Sequence, residues 1–444
     1  MTEKVYKTKP LDCWQKAKEL RLKYYQDYAA AHEKGGLRWV GGAWSFDAIP
    51  MGLGDDIYPL TSEPYGASIA HDPTFAVECQ EACESKGFAR DLCSYMRTYW
   101  GSILLNKYYF GGEFPKPDFI WQDHICCSHS KWYQVVSDLE GGIPFYSTDV
   151  SVGPYKELDE NRLNYVVEQM LDGIEWLQKT TGRKYDDEKL IQAVYNDCRS
   201  TALWADICDL NKAIPAPLDE KSMFALYVLG TLHRSSKEIA DFYEELKAEV
   251  EDRVANEIAA VPIEQCRLMG DSQPPWSFLS VYRYMERYGA VSIGSPYTFG
   301  LIGIWDLKDD GSIVPAQPPQ KRGIKIESRE QALRVLADWE LRRIMWLPFY
   351  GADWKSQIMI NMARDWHLNG VIIHLNRGCE GTCIGVMENR LALAEAGIPV
   401  LTYEGNMGDP REVDMVQTLE RIDSFMENLG MKKLDIPEGA PKGG

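Results

Sequence analysis

The segment GVIIHLNRGCEGTCIGVMENRLALAEAGIPVLTY, residues 370–403, carries the clearest information about the fold class. It contains two apolar strands, GVIIHL from Gly370 and PVLTY from Pro399, and between them a predicted helix from Ile384 to Ala396. A strand, a helix and a second strand in succession are typical of a parallel pair, because the chain crosses back over the sheet between the strands. The segment therefore predicts a parallel sheet covered by helices.

The same alternation of strands and helices occurs in two parts of the chain. Predicted strands begin at Leu37, Ile57, Phe119 and Pro144 in the first part, and at Cys266, Ala290, Gly370 and Pro399 in the second. Between Leu158 and Ala260, apolar residues recur at the three- and four-residue spacing of amphipathic helices. The sequence thus predicts an α/β protein with two flavodoxin- or Rossmann-like parallel-sheet domains, residues 1–150 and 263–444, and a helical domain over residues 151–262.

The composition excludes several functional classes. The chain has 444 residues, with 48 Lys and Arg against 66 Asp and Glu, and a net charge of −18. This acidity argues against nucleic-acid binding, which needs a basic surface to displace counterions from phosphates. No apolar run is long enough to span a membrane, and the N-terminal MTEKVYKTKPLDCW lacks the apolar core of a signal peptide. A cytoplasmic protein is expected.

Several catalytic motifs are missing from the sequence. There is no GxxxxGK[ST] phosphate loop, so we expect that the chain does not itself hydrolyse ATP. The glycines at Gly52 and Gly54 do not complete a dinucleotide-binding fingerprint, because Ile57 occupies the position of the third glycine. HExxH, GxSxG and CxxC motifs are also missing.

Three of the eleven cysteines lie where a parallel sheet binds ligands, beyond the carboxyl ends of strands. Cys126 closes the predicted strand FIWQDHICC, Cys379 follows GVIIHL, and Cys93 opens CSYMRTYWG. Three thiolates from separate segments could hold one iron–sulfur cluster and leave one iron open to substrate. Spacing alone leaves ordinary burial of each thiol as the alternative, because cysteine also packs as a small hydrophobic residue.

Three segments around these cysteines resemble the cluster-binding segments of the 2-hydroxyacyl-CoA dehydratase and ATP-dependent benzoyl-CoA reductase superfamily. They are GFARDLCSYMRTYWGS, DFIWQDHICCSHSKWYQ and the stretch from GVIIHLNRGCEG to YEGNMGDPRE. The resemblance implies a [4Fe–4S] cluster ligated by Cys93, Cys126 and Cys379. Lys131, five residues after Cys126, favours Cys126 over Cys127 as the ligand, and Asn406 departs from the Asp that is frequent in the family.

Within this superfamily, the length and the block GGAWSFDAIPMGLGDDIYPLTSEPYGASIA at residues 41–70 resemble the larger catalytic subunit of class I benzoyl-CoA reductase. The expected function is then reduction of the ring of benzoyl-CoA to a cyclic diene by successive single-electron and proton transfers. The resemblance implies a homologous cluster-bearing subunit and a separate ATP-hydrolysing activator that receives electrons from ferredoxin. The alternatives are an (R)-2-hydroxyacyl-CoA dehydratase subunit with ketyl radical chemistry, a non-catalytic electron-transfer subunit, and an α/β binding protein with free thiols.

Candidate catalytic residues lie close to the cysteine segments. His129, Glu63 and Ser45 are the candidate proton donors, since imidazole, carboxyl and hydroxyl groups can transfer protons to a reacting substrate. Aromatic residues expected to line a dry pocket are Trp44, Tyr65, Trp100 and Trp132. Arg97 and Arg377 are candidates for contact with the cluster or with CoA phosphates, and Lys131 for pairing with the cluster; for all of these residues a structural role is the alternative.

Overall fold

The computed structural model describes residues 4–150, 159–345 and 352–434, and it confirms the predicted α/β class. The strands are β1 Lys7–Thr8, β2 Leu37–Gly41, β3 Ile57–Thr61, β4 Phe119–His124, β5 Phe145–Asp149, β6 Ile258–Ala259, β7 Cys266–Asp271, β8 Ala290–Ser292, β9 Trp305–Leu307, β10 Ile313–Pro315, β11 Gly370–Asn376 and β12 Val400–Gly405. The helices are α1 Trp14–Ala30, α2 Ser62–Ala70, α3 Pro73–Ser85, α4 Ser94–Leu104, α5 Cys127–Leu139, α6 Glu160–Thr181, α7 Asp187–Leu210, α8 Glu220–His233, α9 Lys237–Ala255, α10 Ser280–Met285, α11 Pro296–Gly300, α12 Arg329–Glu340, α13 Ala352–Asp365, α14 Glu380–Cys383, α15 Val386–Glu395 and α16 Met415–Asn428.

Two four-stranded parallel sheets organise the molecule. The first has the order β3-β2-β4-β5 and the second the order β12-β11-β7-β8. If the strands of each sheet are numbered along the chain, both sheets have the order 2-1-3-4. This is the order in the first four strands of a flavodoxin-like doubly wound sheet. All eight strands expected from the sequence are therefore present, four in each sheet.

The strands form where short apolar runs can be buried on both faces, as parallel sheets require. In β11, the residues from Gly370 to Ile373 are buried, and Val371 pairs in register with Val400 on β12 and with Met269 on β7. A single apolar core continues from the first sheet through α8 and α9 to the second sheet. The two sheets are thus held on one common core.

The middle of the chain forms the long helices α6 to α9. Each helix has a side chain at its N-cap that accepts a hydrogen bond from a backbone N–H of the first turn. These N-cap residues are Asp159, Asp186, Asp219 and Ser236 respectively. Helix α6 packs on β5, and α7 packs on α9 and α12. In the part of the chain that the structure describes, none of the helices has both the length and the apolar character needed to cross a bilayer.

Two local predictions differ from the structure, and some elements were not expected from the sequence. The strand predicted to run to Cys127 ends at His124, because α5 begins at Cys127 and the residues between form the turn. The helix expected from Ile384 begins at Val386, after Gly385 in the left-handed conformation with a φ of 72°. Helices α2 and α12 and the hairpin β9–β10 were not predicted.

Candidate functional site

A large cavity lies at the carboxyl ends of both sheets. Its volume is about 990 Å³ including its open mouth. Ala43 follows β2 and Ile125 follows β4 in the first sheet, while Gln273 follows β7 and Cys379 follows β11 in the second. The strands that these residues follow are the two central strands of each sheet. The strand order reverses there, and doubly wound folds bind their ligands at this position. The two switch points therefore share one cavity.

The three cysteines expected to act together all line this cavity. Cys93, Cys126 and Cys379 each occupy the N-cap position of a helix, of α4, α5 and α14 respectively. Cys126 and Cys379 are close enough to Cys93 for their charges to raise its pKa. Cys127 also lines the cavity but is exposed, so Cys126 is the more enclosed of the two neighbouring thiols.

The pKa values of two of the three thiols, Cys93 and Cys126, are raised, so their protonated forms are favoured. Burial is the main cause that raises the pKa of Cys93, and the backbone N–H of Met96 only partly opposes it. Burial also raises the pKa of Cys126, against the influence of His129. Removing the protons of Cys93 and Cys126 is therefore costly unless positive charge is supplied nearby, as a metal centre would do.

The donor set of the cavity offers thiols, which are the ligands that iron–sulfur clusters use. Among the described residues, no three Cys, His, Asp or Glu side chains are grouped closely enough to hold one metal ion. A cluster bound by three cysteines places each sulfur on a different iron, so the sulfurs stand farther apart than the ligands of one ion. Three thiols around an enclosed space are compatible with such a group.

Close backbone packing brings Cys93 and Cys379 together across the two sheets. The backbone N–H of Ser94 donates to the carbonyl of Gly378 at 3.3 Å. A Cβ at residue 378 would lie 2.4 Å from Ser94 Oγ and 2.4 Å from Asn406 Oδ1. A larger residue at position 378 would therefore force the side chain of Ser94 or Asn406 to shift.

The side chain of Gln273 connects the end of β7 to Cys379. Its Nε2 donates to Cys379 Sγ at 3.4 Å. Its Oε1 accepts from Asn376 Nδ2 at 2.9 Å, from Thr382 Oγ1 at 2.8 Å and from Ser272 Oγ at 3.1 Å. Because three donors surround Oε1, the amide orientation is determined, and the NH2 group faces the sulfur.

Two of the candidate proton donors form a pair on the opposite wall. His129 Nε2 is hydrogen-bonded to Glu63 Oε1, and Glu63 Oε2 accepts from the backbone N–H of Ala43 at 2.9 Å. Burial lowers the pKa of His129, but the charges of Glu63 and Cys126 outweigh this effect and hold the pKa well above its ordinary value. Both side chains line the cavity.

The third candidate, Ser45, does not line the cavity. Its Oγ accepts from the backbone N–H of Gly42 at 2.6 Å and donates to Asp123 Oδ1 at 3.4 Å. His129 Nδ1 lies 3.7 Å from the same carboxylate oxygen, too far for a direct hydrogen bond. Ser45 is therefore part of the loop that follows β2, lies outside the cavity lining, and contacts the Glu63–His129 pair only through other groups.

The remaining candidates are divided between wall, core and surface. Trp44 and Trp132 line the cavity, whereas Tyr65 and Trp100 belong to the apolar core. The charged candidates lie away from the cavity in other pairings: buried Arg97 with Glu84 and Asp409, exposed Arg377 with Glu404, and exposed Lys131 with Gln134. Asn406 shapes its own turn by accepting from the backbone N–H groups of Gly408 and Asp409.

Sequence reasoning missed several wall residues. Gln273 and Trp276 follow β7, and Tyr227 and Tyr297 come from α8 and α11. Gln273 could have been found by the rule that singled out Cys379, since it lies just beyond the carboxyl end of a central strand. Tyr227 lies on a helix, where no spacing rule distinguishes a cavity wall from core.

Comparison with known proteins identifies relatives over nearly the whole chain. The family model for the 2-hydroxyglutaryl-CoA dehydratase D-component matches residues 74–429, a range that includes the three cysteines but not Glu63 or Ser45. The chain is 24% identical to the alpha subunit of (R)-2-hydroxyisocaproyl-CoA dehydratase from Clostridioides difficile, over 94% of this chain and 95% of the relative. It is 23% identical to the (R)-phenyllactyl-CoA dehydratase alpha subunit of Clostridium sporogenes, over 85% of each chain. It is also 23% identical to lactoyl-CoA dehydratase subunit alpha of Anaerotignum propionicum, over 93% of this chain and 96% of the relative.

These comparisons correct one expectation and confirm another. The superfamily inferred from the three cysteine segments is confirmed. The expectation that the chain is a benzoyl-CoA reductase subunit is wrong, because the family model and these relatives are named for dehydratases. Ring reduction as the main function is wrong for the same reason. The length of the chain and the block at residues 41–70 did not distinguish ring reduction from dehydration.

Proposed function

Because the chain belongs to the 2-hydroxyglutaryl-CoA dehydratase D-component family, we propose that it is a subunit of an (R)-2-hydroxyacyl-CoA dehydratase. The reaction would remove the hydroxyl group from C2 and a proton from C3 of the thioester, giving a 2-enoyl-CoA and water. We place this reaction in the cavity at the carboxyl ends of the two sheets.

The proposed cofactor is one [4Fe–4S] cluster ligated by Cys93, Cys126 and Cys379. The observation that carries the proposal is that these thiols, from three distant segments, line a single cavity. Such a cluster would supply single electrons and one iron open to a substrate oxygen. Gln273 would donate a hydrogen bond to one of the ligating sulfurs.

The Glu63–His129 pair is the proposed proton-transfer group. Dehydration removes one proton from C3 and delivers one proton to the departing hydroxyl group. A pair that accepts the first proton and donates the second therefore regains its starting protonation state after each turnover. The Ala43 N–H holds one oxygen of Glu63, and His129 holds the other. The carboxylate therefore has a defined position before substrate arrives, which favours proton transfer.

The walls of the cavity would keep water from the reacting carbons. Trp44 and Trp132 flank His129, with ring centroids at 6.5 and 6.1 Å from the imidazole. Tyr133 approaches the same ring edge-to-face at 5.8 Å. Enclosure by aromatic rings strengthens the interaction of Glu63 with His129 and protects a reactive intermediate from solvent.

The proposed assembly contains two further components. The relatives are named as alpha subunits, and the family model describes one component of a dehydratase. We propose a homologous cluster-bearing subunit as the permanent partner and an ATP-hydrolysing activator, linked to ferredoxin, as the electron donor. The missing phosphate loop in this chain is compatible with ATP hydrolysis by another subunit.

The test is to purify the chain without oxygen together with the proteins encoded beside it and to assay (R)-2-hydroxyacyl-CoA thioesters for water loss. We expect bound iron and acid-labile sulfide, and a 2-enoyl-CoA product that requires ATP and a reductant. A purified complex that holds no iron, or that transforms no 2-hydroxyacyl thioester, would contradict the proposal.

An electron-relay subunit is the second candidate function, because Cys127 lines the same cavity and could supply a fourth thiolate. A cluster ligated by four thiolates has no iron open to substrate. The two candidates differ in one measurement. Adding a CoA thioester should change the electron paramagnetic resonance spectrum of the reduced cluster in a dehydratase subunit, and should leave it unchanged in a relay.

A further inference from the structure

The wall of the cavity consists mainly of aromatic and aliphatic side chains. Its members include the aromatic residues Trp44, Tyr95, Trp132, Tyr227, Trp276 and Tyr297 and the aliphatic residue Leu301. They come from both sheets and from the helical middle of the chain, so the wall encloses the space from several sides. A surface of this kind gains free energy by contact with an apolar group of comparable size.

The polar atoms of this wall are occupied by one another. The hydroxyl groups of Tyr227 and Tyr297 are hydrogen-bonded at 2.9 Å, and the indole N–H of Trp276 donates to the hydroxyl of Tyr95. The indole N–H of Trp44 donates to the carbonyl of Leu301 at 2.7 Å. The wall therefore presents mainly ring faces and alkyl groups to a ligand, and the indole N–H donors of Trp44 and Trp276 are already engaged.

The charge of the lining is unfavourable to an anionic acyl group. Among the described residues that line the cavity there is no lysine or arginine, whereas Glu63 and Glu380 contribute carboxylates. The buried Lys355 lies in an adjoining space, where its Nζ is 2.8 Å from Asp271 Oδ2 and donates to the carbonyl of Thr382 at 2.9 Å. A carboxylate on the substrate side chain would lose its hydration here, and the imidazole of His129, which can carry a positive charge, is already hydrogen-bonded to Glu63.

We propose that the cavity selects 2-hydroxyacyl-CoA thioesters whose C2 side chain is bulky, apolar and uncharged, such as an arylmethyl or branched alkyl group. This specificity rests on the proposed function. It excludes side chains that end in a carboxylate, and it disfavours a methyl group, which would leave most of the apolar wall uncovered.

The first experiment measures binding and does not depend on turnover. The assembled complex is titrated in a calorimeter with 3-phenylpropanoyl-CoA and with glutaryl-CoA, both of which lack the 2-hydroxyl group. We expect the phenyl thioester to bind about 100-fold more tightly, because the wall can cover the ring but cannot pair the carboxylate. Equal affinities, or tighter binding of glutaryl-CoA, would overturn the proposal.

The second experiment changes the charge of the wall at Val228, a half-buried residue of α8 that lines the cavity. Val228→Lys should narrow the affinity gap between the two thioesters at least about tenfold, because the ammonium group can pair with the carboxylate. Val228→Met has a similar length without charge and should keep the preference for the phenyl thioester. An unchanged gap in a folded Val228→Lys variant would argue against the apolar wall as the cause of selectivity.

The third measurement separates this proposal from the proposed function. Dehydration is assayed with thioesters that carry a benzyl, a 2-carboxyethyl or a methyl group on C2, and we expect the benzyl thioester to have the highest kcat/KM. Faster dehydration of the 2-carboxyethyl thioester would refute the specificity while supporting a dehydratase. Tighter binding of the phenyl thioester without dehydration of any of the three would support the specificity and refute the dehydratase.

Discussion

Gln273 Nε2 donates a hydrogen bond to Cys379 Sγ at 3.4 Å, and the two residues follow neighbouring strands of the second sheet. A hydrogen bond to a ligating sulfur stabilises the reduced, more negative cluster and raises its reduction potential. Gln273→Glu would keep an acceptor for Asn376 and Thr382 but would lose the donor and add negative charge. We expect a lower midpoint potential, measured by redox titration of the purified complex.

The control for this variant is Gln122→Glu, since Gln122 is buried on β4 and donates to Ser147, away from the cavity lining. It should leave the potential unchanged. Equal potentials in wild-type protein and Gln273→Glu, at equal iron content, would show that the hydrogen bond has no electronic role.

Removing any one of the three cysteines should lower the iron content. Cys93→Ala, Cys126→Ala and Cys379→Ala each leave two thiolates, which is too few to retain a cluster stably during purification. Iron and acid-labile sulfide per chain are the measurement. Cys198→Ala is the matched control, because Cys198 is fully buried in a separate apolar core and should leave the iron content unchanged.

Cys127→Ala distinguishes the two neighbouring thiols. If Cys126 is the ligand, Cys127→Ala should retain the iron that Cys126→Ala loses. The opposite result would assign the ligand to Cys127, the exposed member of the pair.

Glu63→Gln should slow dehydration by about 10²- to 10⁴-fold, the range over which a positioned acid–base group contributes. The amide can still accept from the Ala43 N–H, so the loop after β2 should remain in place. Affinity for 3-phenylpropanoyl-CoA should change much less than kcat. Exposed Glu33 provides the control, and Glu33→Gln should have wild-type activity. A loss of thioester affinity that accounted for the whole loss of rate would mean that Glu63 serves in binding only.

A buried ionic cluster beneath the loop after β2 should be essential for stability. Arg234 lies 3.2 Å from Asp47, 3.0 Å from Asp197 and 3.4 Å from Glu340, and it donates to the carbonyl of Ala43 at 2.7 Å. Arg234→Met leaves these buried carboxylates without that partner, so we expect a loss of roughly 3–5 kcal/mol in the free energy of unfolding.

Chemical denaturation measures this loss. The comparison is Arg334→Met, which breaks the exposed pair of Arg334 with Glu160 and should cost less than about 1 kcal/mol. Similar losses in both variants would mean that burial does not determine the contribution of the Arg234 cluster.

The stability of the protein should depend on pH through Glu220, at the start of α8. Burial raises the pKa of Glu220 from 4.5 to about 8, against the hydrogen bonds from Ser292 and Ser295. A carboxyl group whose folded-state pKa is raised contributes full stability below its unfolded pKa and loses this contribution as pH rises through the folded value. The loss should occur between about pH 4.5 and pH 8 and amount to something on the order of 4 kcal/mol.

The measurement is the difference in unfolding free energy between wild type and Glu220→Gln. The unfolding free energy of the variant relative to that of the wild type should increase as pH rises from 5 to 9, because the amide of the variant has no proton to lose. A difference that stays constant over this range would show that Glu220 titrates normally.

The location of the cavity could be predicted from the sequence in part. Cys126 and Cys379 each follow an apolar strand, and Gln273 does so as well, so the strand-end rule contains the information for all three. Tyr227 and Tyr297 could not be found in this way, because a residue on a helix becomes part of a wall only when that helix packs beside the site. The reaction could not be predicted from local patterns either, since the cysteine segments resemble those of a superfamily that includes both reductases and dehydratases.

The amino-acid sequence by itself determined the eight parallel strands, because apolar periodicity is set by neighbouring residues along the chain. It also determined which thiols stand at strand ends and helix starts. Only the tertiary structure decided that Cys93 and Cys379 line one cavity at the ends of the two sheets. It also decided that Glu63 pairs with His129, whereas Ser45 does not line the cavity, and that the wall of the cavity is apolar. These relationships join residues far apart in the chain, and their distances depend on how the sheets pack on their common core.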